Sequence, residues 1–185
     1  MTGRLAFVAL VLAASLALPG AAGHARPGAT PLIGIVTLAT FDLTQRCGGK
    51  PGGTAAKKLL VVSCSQTGAF DGRPARAGVS YVWTWNLEVG ANGKTTGKGP
   101  ETGKLGLNFG GGDIVYLTTK GMQLPVGKST AAKSQAKTTG TWTVTSGGTG
   151  RYKSAHGSGT YTYSTTLQGS RFFASAKLTL KGAIS

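Results

Sequence analysis

From Tyr81 to Glu88 the chain alternates without a break: Tyr81, Trp83, Trp85 and Leu87 fall on one phase, and Val82, Thr84, Asn86 and Glu88 on the other. Strict period two sends the two sets to opposite sides of a pleated strand. A face carrying three large aromatic rings must be covered by a core or by a bound molecule. One strand cannot do this alone, so the fold depends on what other strands the sequence supplies.

Seven more segments qualify. Leu32–Leu43 places Ile33, Ile35, Thr37, Ala39 and Phe41 on one side and Leu32, Val36 and Leu38 on the other. Lys58–Ser65 sets Leu60, Val62 and Cys64 against Leu59, Val61 and Ser63. Leu105–Phe109 and Asp113–Thr119 flank the turn Gly110, Gly111, Gly112 as a hairpin. Thr141–Thr145 carries Trp142, Gly159–Thr165 carries Tyr161 and Tyr163, and Arg171–Lys181 sets Phe172, Ala174, Ala176, Leu178 and Leu180 on one phase. The apolar phases predict one shared interior holding Tyr81, Trp83, Trp85, Trp142, Tyr161, Tyr163, Phe172, Leu178 and Leu180. Glycine occurs 31 times in 185 residues, roughly twice the usual share of about 7%, which suits many turns. Cys47–Ala56 reads as a Gly and Pro loop. Pro125–Thr138, with Lys128, Lys133 and Lys137, reads as a mobile loop, since it shows neither helical periodicity nor capping. Eight short strands without helices predict an all-β domain, either an eight-stranded antiparallel barrel or a β-sandwich.

The start of the chain has a different grammar. Arg4 precedes an apolar run from Leu5 to Leu18, then Pro19, Gly20 and small residues, the pattern of a secretory signal peptide. Gly23, His24, Ala25 predicts cleavage after Ala25, with Ala22 as the alternative. The run is too short for a bilayer span, which needs about 20 residues. Residues 1–25 are thus read as a signal peptide and residues 26–185 as one secreted, extracellular domain. Loss of Arg4 with the leader lowers the formal charge from +15 to +14. Scattered along the chain, such charge keeps a secreted surface soluble; the same field attracts polyanions or an anionic surface, for which the candidate contacts are Lys128, Lys133 and Lys137. No specific nucleic-acid motif and no later membrane span accompany it.

Cys47 and Cys64 are the two cysteines. In an oxidising compartment a disulfide between them is the default, and closing such a loop stabilises by about 3 kcal/mol in the chain-entropy model. A plain hairpin conflicts with it. Pairing Lys57 near Arg46 would set Cys64 opposite Ala39, so either the register is not a plain hairpin or the cysteines do not pair. Two thiols and His156 do not make a metal site of familiar spacing, and no cofactor is implied.

Ser146–Thr160 reads SGGTGRYKSAHGSGT. Gly147, Gly148, Thr149, Gly150, Tyr152, Ala155 and Gly157 resemble the G-G-T-G-x-[FY]-x-x-A-x-G signature of allene oxide cyclase and dirigent type barrels. Read physically, Gly148 and Gly150 let the chain turn a corner, Tyr152 folds back on the core, and Ala155 and Gly157 allow close approach as the next strand starts. A phosphate loop is the rival reading, but the Lys and Ser/Thr of that motif are missing and a strand follows. The resemblance implies an eight-stranded barrel able to hold a small hydrophobic molecule. Plant members act on oxidised fatty acids or steer phenoxy radical coupling, using acidic and polar cavity groups; none of those residues maps onto the shared corner. An acid/base pair inside this barrel would have to come from Asp42, Glu88 or Asp113, and strand parity turns Glu88 outward, which argues against a catalytic role. His156, alone among Gly and Ser, reads as a surface residue, and no catalytic residue is assigned.

The expected function is an exported, non-enzymatic barrel binding a small hydrophobic ligand among Tyr81, Trp83, Trp85, Trp142, Tyr161 and Tyr163. Two alternatives stay open: a basic module on anionic envelope polymers or the membrane surface, and a cyclase- or isomerase-like enzyme.

Overall fold

The computed structural model describes residues 28–130, 132–168 and 172–185, with the backbone alone for 41–44 and 172–175. The expected leader, residues 1–25, lies outside the described residues.

The described residues form ten strands in order: β1 (Thr30–Leu38), β2 (Phe41–Asp42), β3 (Cys47–Gly53), β4 (Lys58–Arg73), β5 (Ala77–Glu88), β6 (Gly99–Asn108), β7 (Ile114–Pro125), β8 (Lys133–Val144), β9 (Gly157–Gln168) and β10 (Phe172–Ile184). Each of β4 to β10 pairs antiparallel with the next, β10 pairs with β1, and β1 pairs back onto β4. That last pairing, from Ile33↔Arg73 to Leu38↔Gly68, closes an eight-stranded barrel and rules out the sandwich. The two-residue β2 lies beside β10, and β3 is an extra strand outside the barrel wall.

Parity sends the large side chains inward. Tyr81, Trp83, Trp85, Trp142, Tyr161, Tyr163, Leu178 and Leu180 share one buried core with Leu32, Val36 and Leu38. The opposite phase of β1, with Ile33 and Ile35, is exposed. Burying the interior phase removes most of the large apolar surface from water at roughly 25 cal/mol per Å². For Phe172, expected in the same interior, the backbone alone is described.

Three expectations are corrected. Cys47–Ala56 is not simply a loop: Cys47–Gly53 pairs with Lys58–Cys64, and the reversal is confined to Thr54–Lys57. Its glycines and Pro51 are tolerated because β3 is an edge strand, where a missing amide hydrogen faces no partner. Nor is Pro125–Thr138 one loop. Strand β7 runs to Pro125 and β8 starts at Lys133, so Lys133 and Lys137 stand on a strand and Lys128 alone lies in the connection. Their outward lysines alternate with Ser134, Ala136 and Thr138, a period-two pattern of small residues that apolar periodicity overlooks. Finally, the first strand stops at Leu38 instead of Leu43.

The cysteine conflict resolves through β4, which has 16 residues. Its first half pairs with β3 and its second with β1. Cys47 therefore faces Cys64 directly, and the disulfide joins them with Cα atoms 4.1 Å apart.

Candidate functional site

One end of the barrel opens into a cavity of about 630 Å³. It is formed where β5, β7 and β9 end and β4 and β8 begin, so the inward phase of each strand supplies its wall: Val62, Trp85, Leu87, Ala136 and Leu167, with Pro125 at the edge. Two buried polar residues, Gln123 and Thr165, interrupt the apolar lining. Gln123 is held by its amide, which donates from Nε2 to the carbonyl of Gly97 at 3.1 Å and ties the β5–β6 connection across the opening. Lys94 and Thr130 stand at the rim. The size lies within the usual range of about 300–1,000 Å³ for small-molecule sites, and so does the mainly apolar wall.

Below this cavity sits a carboxylate. Glu101 projects inward from β6 and is 1% exposed. Its Oε1 accepts from the Tyr81 hydroxyl at 2.5 Å and from the Tyr161 hydroxyl at 3.2 Å, and its Oε2 accepts from the Trp85 indole Nε1 at 3.2 Å. Because the Tyr81 proton points to Glu101, Thr119 Oγ1, 3.1 Å away, donates to the phenol in turn. Two interior glycines make room for the phenols. A Cβ on Gly103 would press on the Tyr81 ring at 2.7 Å, and one on Gly121 would meet the Tyr161 hydroxyl at 2.5 Å.

Burial pushes the Glu101 carboxyl above its ordinary value of 4.5, against the hydrogen bonds from Tyr81, Trp85 and Tyr161, which favour the anion. Burial, reinforced by the neighbouring Glu101 charge, drives the Tyr81 phenol well above 10 and raises those of Tyr161 and Tyr163 as well. The phenols thus stay protonated throughout the ordinary pH range, and those of Tyr81 and Tyr161 remain donors to Glu101. A buried acid with a raised pKa, next to a cavity, marks a functional-site candidate.

Of the six aromatics expected at a ligand site, Trp85 lines the cavity. Tyr81, Trp83 and Tyr163 form the packed layer beneath it: Tyr81 stacks on Trp83 at 4.9 Å, and Tyr163 meets Trp83 edge-on at 5.6 Å and stacks on Trp85 at 6.2 Å. Tyr161 serves Glu101. Trp142 is fully buried against Gly159 and Gly182, its indole donating to the Thr160 carbonyl at 3.1 Å.

The interior acid is Glu101, and not Asp42, Glu88 or Asp113, from which an interior acid/base pair would have had to come. Glu88 faces outward and pairs with Lys57 at 3.5 Å, Asp113 binds Arg151, and the Asp42 side chain lies outside the described residues. The sequence marks Glu101 weakly, because its neighbours on the same phase, Gly99 and Gly103, leave no apolar alternation to read. Counting back in twos from Leu107 and Leu105 through Gly103 does reach it.

The glycine-rich corner lies at the other end of the barrel. Gly150 has φ +57°, and a Cβ there would overlap the Asp113 carboxylate. That carboxylate accepts from the Arg151 amide at 2.9 Å and from its Nε at 2.6 Å, which holds Asp113 below its ordinary value. Thr149 Oγ1 donates to the Gly112 carbonyl. A Cβ on Gly148 would strike the Tyr152 carbonyl, and Tyr152 is buried against Phe109 at 5.2 Å. The corner therefore clips the β6–β7 turn and closes the core. Ala155 packs on that core, and Gly157 opens β9. Exposed His156 exchanges backbone hydrogen bonds with Ser185, and its Nε2 is 3.0 Å from the Ser185 hydroxyl.

Among the described residues, no group of His, Cys, Asp and Glu could hold a metal ion, and no helix is long and apolar enough to cross a membrane. Comparison of the chain with family models, curated proteins and solved structures gives no match.

Proposed function

We propose that this chain is an exported β-barrel that binds a small, largely apolar molecule in the cavity at its mouth, and that it is akin to the allene oxide cyclase and dirigent barrels. The observation that carries this reading is Trp85, which lines the cavity and is anchored from behind by Glu101. A wall so fixed is pre-formed, and little ordering opposes binding. The disulfide supports export, since such bonds persist in oxidising compartments.

The second reading, a cyclase- or isomerase-like enzyme, draws on the raised pKa of Glu101. Binding without chemistry is favoured by geometry. Both Glu101 oxygens are engaged by protein donors, and a ligand in the cavity meets Trp85 first.

Native mass spectrometry of the purified protein tests the reading, together with uptake of an anilinonaphthalene sulfonate probe. Ala136→Trp, which fills the cavity from its wall, should abolish uptake. Absence of any copurifying ligand, with probe binding equal in the Ala136→Trp variant, overturns it. Turnover of a bound molecule, lost in Glu101→Gln, would favour the enzyme.

A further inference from the structure

We propose that the mouth end of the barrel docks on an anionic lipid bilayer, with Met122, Leu124 and Val126 entering the interface and the flanking lysines meeting the headgroups. Along β7 the inward phase is Val115, Leu117, Thr119 and Gln123. On the outward phase Tyr116, towards the far end, is 38% exposed, Thr118 and Lys120 follow, and the phase turns apolar again at the mouth, where Met122, Leu124 and, just past the strand, Val126 are 43%, 48% and 46% exposed. Successive outward residues on a strand stand roughly 7 Å apart, so these three form one stripe rather than scattered contacts. Nothing in barrel closure requires an apolar stripe on the outside.

Lysines border the stripe on both sides. Lys137 lies directly opposite Leu124 in the β7–β8 register, and Lys133 follows on the same outward phase of β8. On the other side, exposed Pro100 pairs with Met122, and exposed Lys98 precedes it by two residues. The described acidic side chains do not offset this charge. Glu88 is engaged by Lys57, while Asp71 and Asp113 pair with Arg76 and Arg151 at the far end. A polyanionic polymer would need the charge alone. An apolar stripe between lysine rows fits a partner with hydrocarbon beneath an anionic surface, because lysine stems extend along apolar surface while their heads reach the headgroups.

Position links the stripe to the cavity: Pro125, between Leu124 and Val126, lines it, and Lys94 stands at its rim. Docking would then turn the opening towards the source of an apolar ligand. That purpose rests on the proposed ligand-binding function; the docking itself does not, and the two are measured separately.

The test is sedimentation of ligand-free protein with vesicles of phosphatidylglycerol and phosphatidylcholine in about a 3:7 ratio, against phosphatidylcholine alone. Binding is expected to the anionic vesicles only and to weaken with salt. The Lys98→Gln, Lys133→Gln, Lys137→Gln variant should lose roughly a hundredfold in partitioning, about fivefold per lysine. The Met122→Ser, Leu124→Ser, Val126→Ser variant should lose at least about tenfold in vesicle binding while keeping its retention on heparin. Near-ultraviolet circular dichroism checks each fold, and Leu124→Ser alone serves if the triple variant does not fold. Unchanged vesicle binding in the serine variant, or heparin retention by the wild type without vesicle binding, overturns the proposal. Ligand capture by mass spectrometry reads the cavity independently, so either reading can fail alone.

Discussion

The Trp85 indole donates to Oε2 of Glu101 at 3.2 Å, and its ring lines the mouth cavity. One residue thus joins the buried carboxylate to the surface a ligand would touch. Trp85→Phe keeps an aromatic wall but removes the donor to a buried acid. Losing a hydrogen bond to such a group should cost about 1.5–3 kcal/mol, read as a lower urea midpoint at unchanged slope. A loss under about 0.5 kcal/mol would mean that the indole does not hold Glu101.

Glu101 should leave a signature in the pH dependence of stability. Its folded pKa is raised above 4.5, first by burial, so the folded protein holds the proton more tightly than the unfolded chain. The associated stability is fully present below about 4.5 and is lost as pH rises through the folded value. In Glu101→Gln the amide NH₂ would face the Trp85 N–H, which lowers stability at every pH. The margin of wild type over variant should therefore shrink as pH rises above 4.5. Urea unfolding of both proteins from acid to neutral pH measures that margin, and a constant margin would exclude a raised pKa.

Trp83 is 1% exposed and packs against Tyr81, Trp85 and Tyr163. Trp83→Ala opens a hole that these rings, fixed by their own partners, cannot close. The expected destabilisation is about 3–5 kcal/mol, measured by chemical denaturation. A value below about 1 kcal/mol would mean that the layer beneath the cavity relaxes and is not the rigid floor described here.

Most of the barrel was legible because its strands carry period-two apolar signals. Tyr81, Trp83, Trp85 and Leu87 fixed the phase of β5, and Leu178 and Leu180 that of β10. Elsewhere the signal failed where the inward phase is glycine or small and polar. Gly99, Glu101 and Gly103 on β6 and Ser134, Ala136 and Thr138 on β8 turn inward without an apolar mark. These positions line or support the site, because a cavity needs small walls and a buried acid needs space for its donors. The double pairing of β4 was hidden for another reason. Register between distant strands follows from closure, which no local pattern encodes.

The disulfide offers a test of that double pairing. Cys47 and Cys64 face each other across β3 and β4, and among the described residues β3 has no second strand partner. The barrel closes through the other half of β4, where Gly68 to Arg73 meet Leu38 to Ile33. Breaking the bond should therefore act in two ways. The unfolded chain gains freedom, which lowers global stability by about 3 kcal/mol in the chain-entropy model. Locally, β3 should peel from the wall, because its Gly-rich residues bury little apolar surface and only one ladder holds them. Hydrogen exchange on a Cys47→Ser, Cys64→Ala variant should then show protection falling steeply at Gly48–Gly53. The β5 and β9 amides should lose only what the global change dictates. Equal loss across β3, β5 and β9 would mean that β3 unfolds with the barrel and that closure does not bypass it. Retained protection at Gly48–Gly53 would show that the ladder to β4 alone is enough to hold the edge.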